Sequence, residues 1–210
     1  VWNADGTEAT LKRAGMRIPV AFTDAHGRAR TLDYGVPNVN QCKQCHSQAG
    51  VMTPIGPKAR NLAIATAASG ARTQLQLWSE LGLLTGDTAV APTPRWDDPK
   101  VPLERRARAY LDANCGHCHS RAGLASNSGL YLTLEETDPA VLGVGKRPVA
   151  AGKGSGDLEF SITPGRPDAS ILVYRMASTE PGVMMPQLGR TVVHDEGVAL
   201  IREYIAAMKP

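Results

Sequence analysis

The chain has 210 residues, enough for one good hydrophobic core or two small ones. Hydrophobic residues make up 42% and charged residues 20%, ordinary for a folded domain, and no apolar run reaches the length of a membrane helix. The formal charge is +3 and only 5% of residues are aromatic, with no basic cluster interleaved with them, so a nucleic-acid role has no support.

Residues 1–40 hold two short extended runs, Ile18-Pro19-Val20-Ala21-Phe22-Thr23 and Ala29-Arg30-Thr31-Leu32-Asp33-Tyr34, around the turn residues Asp24-Ala25-His26-Gly27. This pattern predicts a β-hairpin packed beside the segment that follows, with Pro19 on an edge because proline offers no ladder donor. Next comes Cys42-Lys43-Gln44-Cys45-His46, then a loop through Pro54, Gly56 and Pro57. Leu77, Leu81 and Leu84 share one face of a helix expected from about Thr73 to Leu84, carrying Trp78 as a core aromatic and stopped by Gly86. Residues 41–91 thus form a first module, and Pro92, Pro94, Pro99 and Pro102 mark a stiff linker over 92–102.

The second module, 103–210, opens with a helix whose Leu103, Ala107, Tyr110 and Leu111 form one stripe, with Arg105, Arg106 and Arg108 on the solvated side. It runs straight into Cys115-Gly116-His117-Cys118-His119. The glycine-rich stretch Gly143 to Gly156 satisfies neither phosphate-loop nor dinucleotide spacing and reads as a mobile surface loop. Val198, Ile201, Ile205 and Met208 make the apolar stripe of a closing helix with Asp195 as its N-cap. This helix is expected to pack across the one before Cys115.

Both pentapeptides read C-x-x-C-H, the attachment sequence of a c-type haem. Two thiols at this spacing reach the two vinyl groups on one side of a porphyrin and become thioethers, and the adjacent imidazole is delivered to the iron. The match continues past the pentapeptide: Cys45-His46-Ser47-Gln48-Ala49-Gly50 parallels Cys118-His119-Ser120-Arg121-Ala122-Gly123. A redox dithiol leaves the histidine after each pair unexplained, and a four-cysteine zinc site leaves both histidines without a purpose. Cys42, Cys45, Cys115 and Cys118 are therefore expected to hold two covalent haems, with His46 and His119 on the irons.

These are the only four cysteines, which leaves none for a disulfide or a cysteine nucleophile. The propionates of two haems would bring the formal charge to about neutral or slightly acidic. Covalent haem attachment in bacteria takes place outside the cytoplasmic membrane, so a periplasmic or otherwise exported protein is expected. No signal peptide is visible and Val1 is not an initiator methionine, which reads as a processed or truncated product.

The ligand opposite each histidine decides between electron transfer and small-molecule chemistry. For the second haem Met185, in Met184-Met185-Pro186, is the leading candidate, with Met184 and Met176 as alternatives. Pro186 stiffens that loop and lowers the entropy lost in holding sulfur on iron. For the first haem, Met52 follows His46 too closely to pass easily around the ring edge, with a reach of roughly 20 Å. Met16, His26, Met176, His117 and His194 are the other candidates, and an open first haem stays among the possibilities.

The run Tyr110-Leu111-Asp112-Ala113-Asn114 before the second motif, Arg175-Met176, Met184-Met185-Pro186, Val193-His194-Asp195-Glu196-Gly197, Val1-Trp2-Asn3-Ala4-Asp5 and Pro54-Ile55-Gly56-Pro57-Lys58 resemble the bacterial exported dihaem c-type cytochromes. The resemblance spans nearly the whole chain, and its start at Val1 implies that relatives extend further upstream. It implies haem, export and redox protein partners, with a parallel β-helix protein as a candidate partner because such proteins are often encoded beside this family. The expected fold is mainly α, two cytochrome c-like haem modules with a short N-terminal β-hairpin. The expected function is electron transfer through a dihaem c-type cytochrome with a His/Met second haem. A dihaem peroxidase-like enzyme with an open first haem is the alternative.

Overall fold

A computed structural model describes residues 1–24, 26–55, 58–149 and 152–209. The expectations that rest on Ala25, Gly56 and Pro57, and the centre of the glycine-rich stretch at residues 150 and 151, lie outside the described residues.

Strands β1 (Met16–Thr23) and β2 (Ala29–Val36) form the hairpin, with Met16 opposite Val36 and Thr23 opposite Ala29. Asp24 closes its turn, accepting from the backbone N–H groups of His26 at 3.0 Å and Arg28 at 2.9 Å. The sheet has two strands, so Pro19 sits at an edge, as its missing N–H requires.

Helix α1 (Val39–His46) begins at a capping box in which Asn38 accepts from the Gln41 N–H and the Gln41 side chain accepts from the Asn38 N–H. Short strands β3 (Ser47–Gln48) and β4 (Val51–Met52) follow, then α2 (Ala59–Leu62) and α3 (Gln74–Glu80). Helix α3 begins next to Thr73, which serves as its N-cap, but it ends at Glu80, short of Leu84. Leu75 is its buried residue, whereas Leu81 is 62% exposed and Trp78 is only half-buried. The leucine spacing misled because too little packs over that segment to bury a full stripe.

The principal core lies in the second half. Helix α4 (Leu103–Asn114) crosses α6 (Asp195–Ala206), and Ala107, Tyr110 and Leu111 meet Leu200, Ile201 and Ile205. Helix α5 (Ile171–Ala177) adds Val173 and Met176, and the connecting loops add Leu132 and Ile162. Gly197 is required at the crossing, since a Cβ there would lie 2.2 Å from the Tyr110 hydroxyl. Trp96, within the proline-rich stretch, packs edge-on against Tyr110 and His194. His194, rather than Asp195, occupies the N-cap position of α6, and its side chain makes no cap bond.

This architecture corrects the expectation of a mainly α fold of two cytochrome c-like modules. With 29% helix and 14% strand it is mixed α and β, six helices beside small two-stranded sheets. The cause is visible in the burial. Up to Val101, only Ala63, Ser69 and Leu75 are buried among the described residues, so the first half has no helical core of its own. Two further expectations change: Arg108 is buried, and its guanidinium donates to the carbonyls of Thr133, Leu134 and Glu136. Within the glycine-rich stretch, Gly154 is buried in a 3₁₀ turn (Gly152–Ser155) against the Arg175 guanidinium.

Candidate functional site

The second pentapeptide starts where α4 stops. The N–H groups of Cys118 and His119 both donate to the Cys115 carbonyl, at 3.1 and 2.9 Å, adding one turn to the helix end. Residues at i, i+3 and i+4 of such a turn share a side, and Cys115, Cys118 and His119 all face one cavity. Two glycines make the turn possible. A Cβ at Gly116 would lie 2.9 Å from the Asp112 carbonyl oxygen, and one at Gly123 would lie 2.2 Å from that of Cys118.

The cavity measures ≈ 440 Å³, within the usual size of a small-molecule or cofactor site. Its other walls are chiefly apolar, formed by Leu130, Leu132, Ile171, Leu172, Met176 and Met185. Met184 is not among its lining residues. His119 Nδ1 lies 3.3 Å from the Leu130 carbonyl oxygen. That acceptor assigns the proton to Nδ1 and leaves the Nε2 lone pair free. Burial pulls the His119 imidazole below its ordinary pKa, which favours the neutral form a metal requires.

Two arginines fix the methionine wall. The Met185 N–H donates to the Arg175 carbonyl at 3.0 Å, and Arg175 Nε donates to the Val183 carbonyl at 2.8 Å. Arg190 donates to the carbonyls of Met176 at 3.1 Å and Arg175 at 3.2 Å, and also to that of Ser178. The loop bearing Met185 is thereby tied to α5.

Beneath the pentapeptide lies an ionic lock. The Asp112 side chain is 0% exposed and accepts from Lys58 Nζ at 2.7 Å, Arg60 Nη2 at 2.8 Å and the Leu134 N–H at 3.1 Å. Burial opposes its charge, but the bonds from Lys58 and Arg60 outweigh it and hold the carboxyl below the usual carboxylate range. The first half is thus fastened three residues before Cys115. No sequence signal distinguished Asp112 from a solvated helix acid, nor Lys58 and Arg60 from loop cations.

The first pentapeptide occupies α1, with Cys42, Cys45 and His46 again at i, i+3 and i+4. None of the residues of this helix is buried. His46 Nδ1 accepts from the Ile55 N–H at 3.3 Å. The methionine nearest in sequence, Met52, lies on β4 and is 56% exposed. Met16 starts β1, His26 pairs with Glu196 at 2.6 Å, and His194 Nδ1 is 3.0 Å from the Tyr110 hydroxyl.

The two pentapeptides meet. The Ala49 N–H donates to the Ala122 carbonyl at 3.0 Å, joining the matching tails of the two motifs. The ligand atoms of Cys45, His117 and Cys118 all lie within 4.8 Å of one another, and His117 Nδ1 is buried with no hydrogen-bond partner. Burial, then the nearby Lys58 and His46, pull the His117 imidazole below its ordinary pKa. Burial pushes the Cys115 thiol up to about 12, and burial together with the neighbouring Cys45 pushes Cys118 up to about 11. None of the four cysteines is joined to another in a disulfide. The tail similarity was legible in sequence, but its use as a contact between the motifs was not.

A second cleft of ≈ 580 Å³ separates the hairpin tip from the α4–α6 crossing. Phe22, Asp24, Arg28 and Arg30 face Tyr110, Met185 and His194 across it. The hairpin tip therefore lies beside the second motif, while its open end leads through the Asn38 cap into α1, which carries the first. His26 carries the contact through Glu196.

Comparison with family models, with curated proteins and with solved structures gives no match to this chain. Among the described residues no helix is long and apolar enough to cross a membrane.

Proposed function

We propose that this chain is a dihaem c-type cytochrome that transfers electrons. The observation that carries the reading is the second site, where a C-x-x-C-H turn opens onto an apolar cavity that Met176 and Met185 also line. The residues present fit the group. Two thiols share the cavity with an imidazole whose lone pair is freed for metal, and thioethers lie in the same walls. Cys115 and Cys118 would form the covalent links, and His119 Nε2 and the Met185 sulfur would hold the iron. The donor set on α1 repeats the residue types with Cys42, Cys45 and His46, and there the imidazole would have to give up the bond its Nδ1 accepts from the Ile55 N–H in order to free Nε2 for iron.

Once bound, an iron porphyrin supplies one-electron redox chemistry between the ferric and ferrous states. The chain's own residues do the rest. The Leu130 carbonyl orients His119 by holding Nδ1–H. Leu132, Ile171 and Leu172 make the cavity walls apolar, and the polarity around a haem tunes its potential. Arg175 and Arg190 hold the methionine loop in place, so less entropy is lost when sulfur meets metal. No distal acid–base pair is needed for electron transfer. Export follows from the attachment chemistry, and a redox protein is the partner class this activity requires.

The test is optical. The pyridine haemochrome of purified protein is expected to give two c-type haems per chain, falling to one in C115S/C118S and in C42S/C45S. A colourless protein, or one holding zinc, overturns the reading. Cyanide, carbon monoxide and peroxide then test the peroxidase-like alternative, which requires one iron to bind an added ligand readily.

A further inference from the structure

We propose that His117 is the axial partner of His46, a ring nitrogen delivered by the second motif to the iron held at the first. The proposal rests on the haem reading above and deepens it. His117 occupies a variable position of its own pentapeptide, so attachment at Cys115 and Cys118 makes no use of it. Yet its ligand atom lies within 4.8 Å of the Sγ of both Cys45 and Cys118. Its Nδ1 is buried with no hydrogen-bond partner, an arrangement that costs free energy unless a ligand completes it.

The contacts of the other candidates set them apart. His26 is held by Glu196 and His194 by Tyr110, both at the second cleft. Met176 is buried on α5 in the core of the second half. Met16 starts the hairpin at its open end, and Met52 is 56% exposed on β4. His117 is the imidazole that the fold carries to Cys45. The hydrogen bond from Ala49 to Ala122 holds the two motif tails together and so fixes that approach. Coordination uses the lone pair of a neutral imidazole to form one iron–nitrogen bond, with no electron transferred and no other bond broken.

Ferric electron paramagnetic resonance and near-infrared magnetic circular dichroism of the full chain, after a haem count, decide the matter. The wild type is expected to show one bis-imidazole low-spin centre beside one His/Met centre. His117→Met, which retains a ligand, is expected to replace the bis-imidazole signature with a second sulfur-to-iron band and to raise the potential of that centre alone. His117→Ala is expected to convert it to a high-spin centre that binds added imidazole, while His194→Ala leaves both signatures unchanged. Two haems with no bis-imidazole centre, or with one that survives both His117 variants, overturn the assignment and leave the haem reading standing. A wild-type count below two overturns that reading and this assignment with it.

Discussion

Removing the carboxylate of Asp112 tests whether the lock beneath the second motif holds the two halves together. Breaking a buried ion pair by deleting one partner costs about 3–5 kcal/mol, because the remaining charge is left uncompensated. Here Lys58 is 37% and Arg60 20% exposed, and Arg60 keeps Glu135 at 2.5 Å. Both cations recover some hydration, so the low end applies, about 3 kcal/mol for Asp112→Ala. Asp112→Asn should cost less, since its amide oxygen can still accept from the Leu134 N–H. For a chain of this size 3 kcal/mol corresponds to a fall in Tm of roughly 6–12 °C, read by circular dichroism on samples of matched haem content. The pH dependence has a definite sign. The folded carboxyl titrates below its unfolded value near ~3.9, so its stabilisation is complete above that value and is lost as pH falls through the folded one. The Tm difference between wild type and Asp112→Ala should therefore be constant from about pH 7 to 5 and shrink below about pH 4. A loss under about 2 °C at neutral pH would refute the ionic account.

Met185→Ala should abolish the sulfur-to-ferric-iron band; its survival would transfer the role to Met176, which lines the same cavity, ahead of Met184, which does not. Tyr110 is raised to about 12 by burial, so its contribution persists up to the ordinary phenol pKa near ~10 and is lost as pH rises through the folded value. Ultraviolet titration should show one tyrosine ionising only near that upper limit, and Tyr110→Phe should remove it; a full tyrosine count by about pH 11 contradicts the placement. Gly197→Ala would gain up to ~1 kcal/mol on helix propensity alone. Because its Cβ would meet the Tyr110 hydroxyl at 2.2 Å, a net loss of about 1–3 kcal/mol is expected instead, and a raised Tm would contradict the crossing.

Some of this structure was legible from residues alone. The hairpin, α4 and α6 each announce themselves through local rules, alternation around turn residues and an apolar stripe at helical spacing, and each forms close to its expected bounds. Helix α3 likewise starts beside Thr73, close to its expected beginning. The pentapeptides were legible as chemistry, although α1 as a helix was not, since its apolar content is too low for a stripe and its start depends on the Asn38–Gln41 box. What failed were inferences about tertiary placement. Leu77, Leu81 and Leu84 look like a core face, but whether a face is buried depends on what lies over it, and no neighbouring sequence encodes that. Arg108 looks solvated on a helical wheel, yet three carbonyls of a distant loop satisfy it inside. The hairpin tip likewise reaches Glu196 through His26, on a helix far away in sequence, a contact that its own alternation does not encode.

The two motifs share a pentapeptide and differ in what surrounds it, and that difference bears on their roles. At His119 a carbonyl fixes the tautomer, the walls are chiefly apolar and a clamped loop carries Met185. At His46 the ring accepts from a backbone N–H instead, on a helix with no buried residue. A thioether ligand raises a haem potential, and polarity and solvent exposure also set it, so equal pentapeptides need not give equal potentials. On the ligand assignments proposed here the first site would have the lower potential of the two, and a transfer between them would run from the first site to the second. Cys45 and Cys118, one from each attachment pair, stand side by side where such a transfer would cross. The lock at Asp112 belongs to the same arrangement, since it holds Lys58 and Arg60, which follow the first motif in sequence, against the helix that ends in the second.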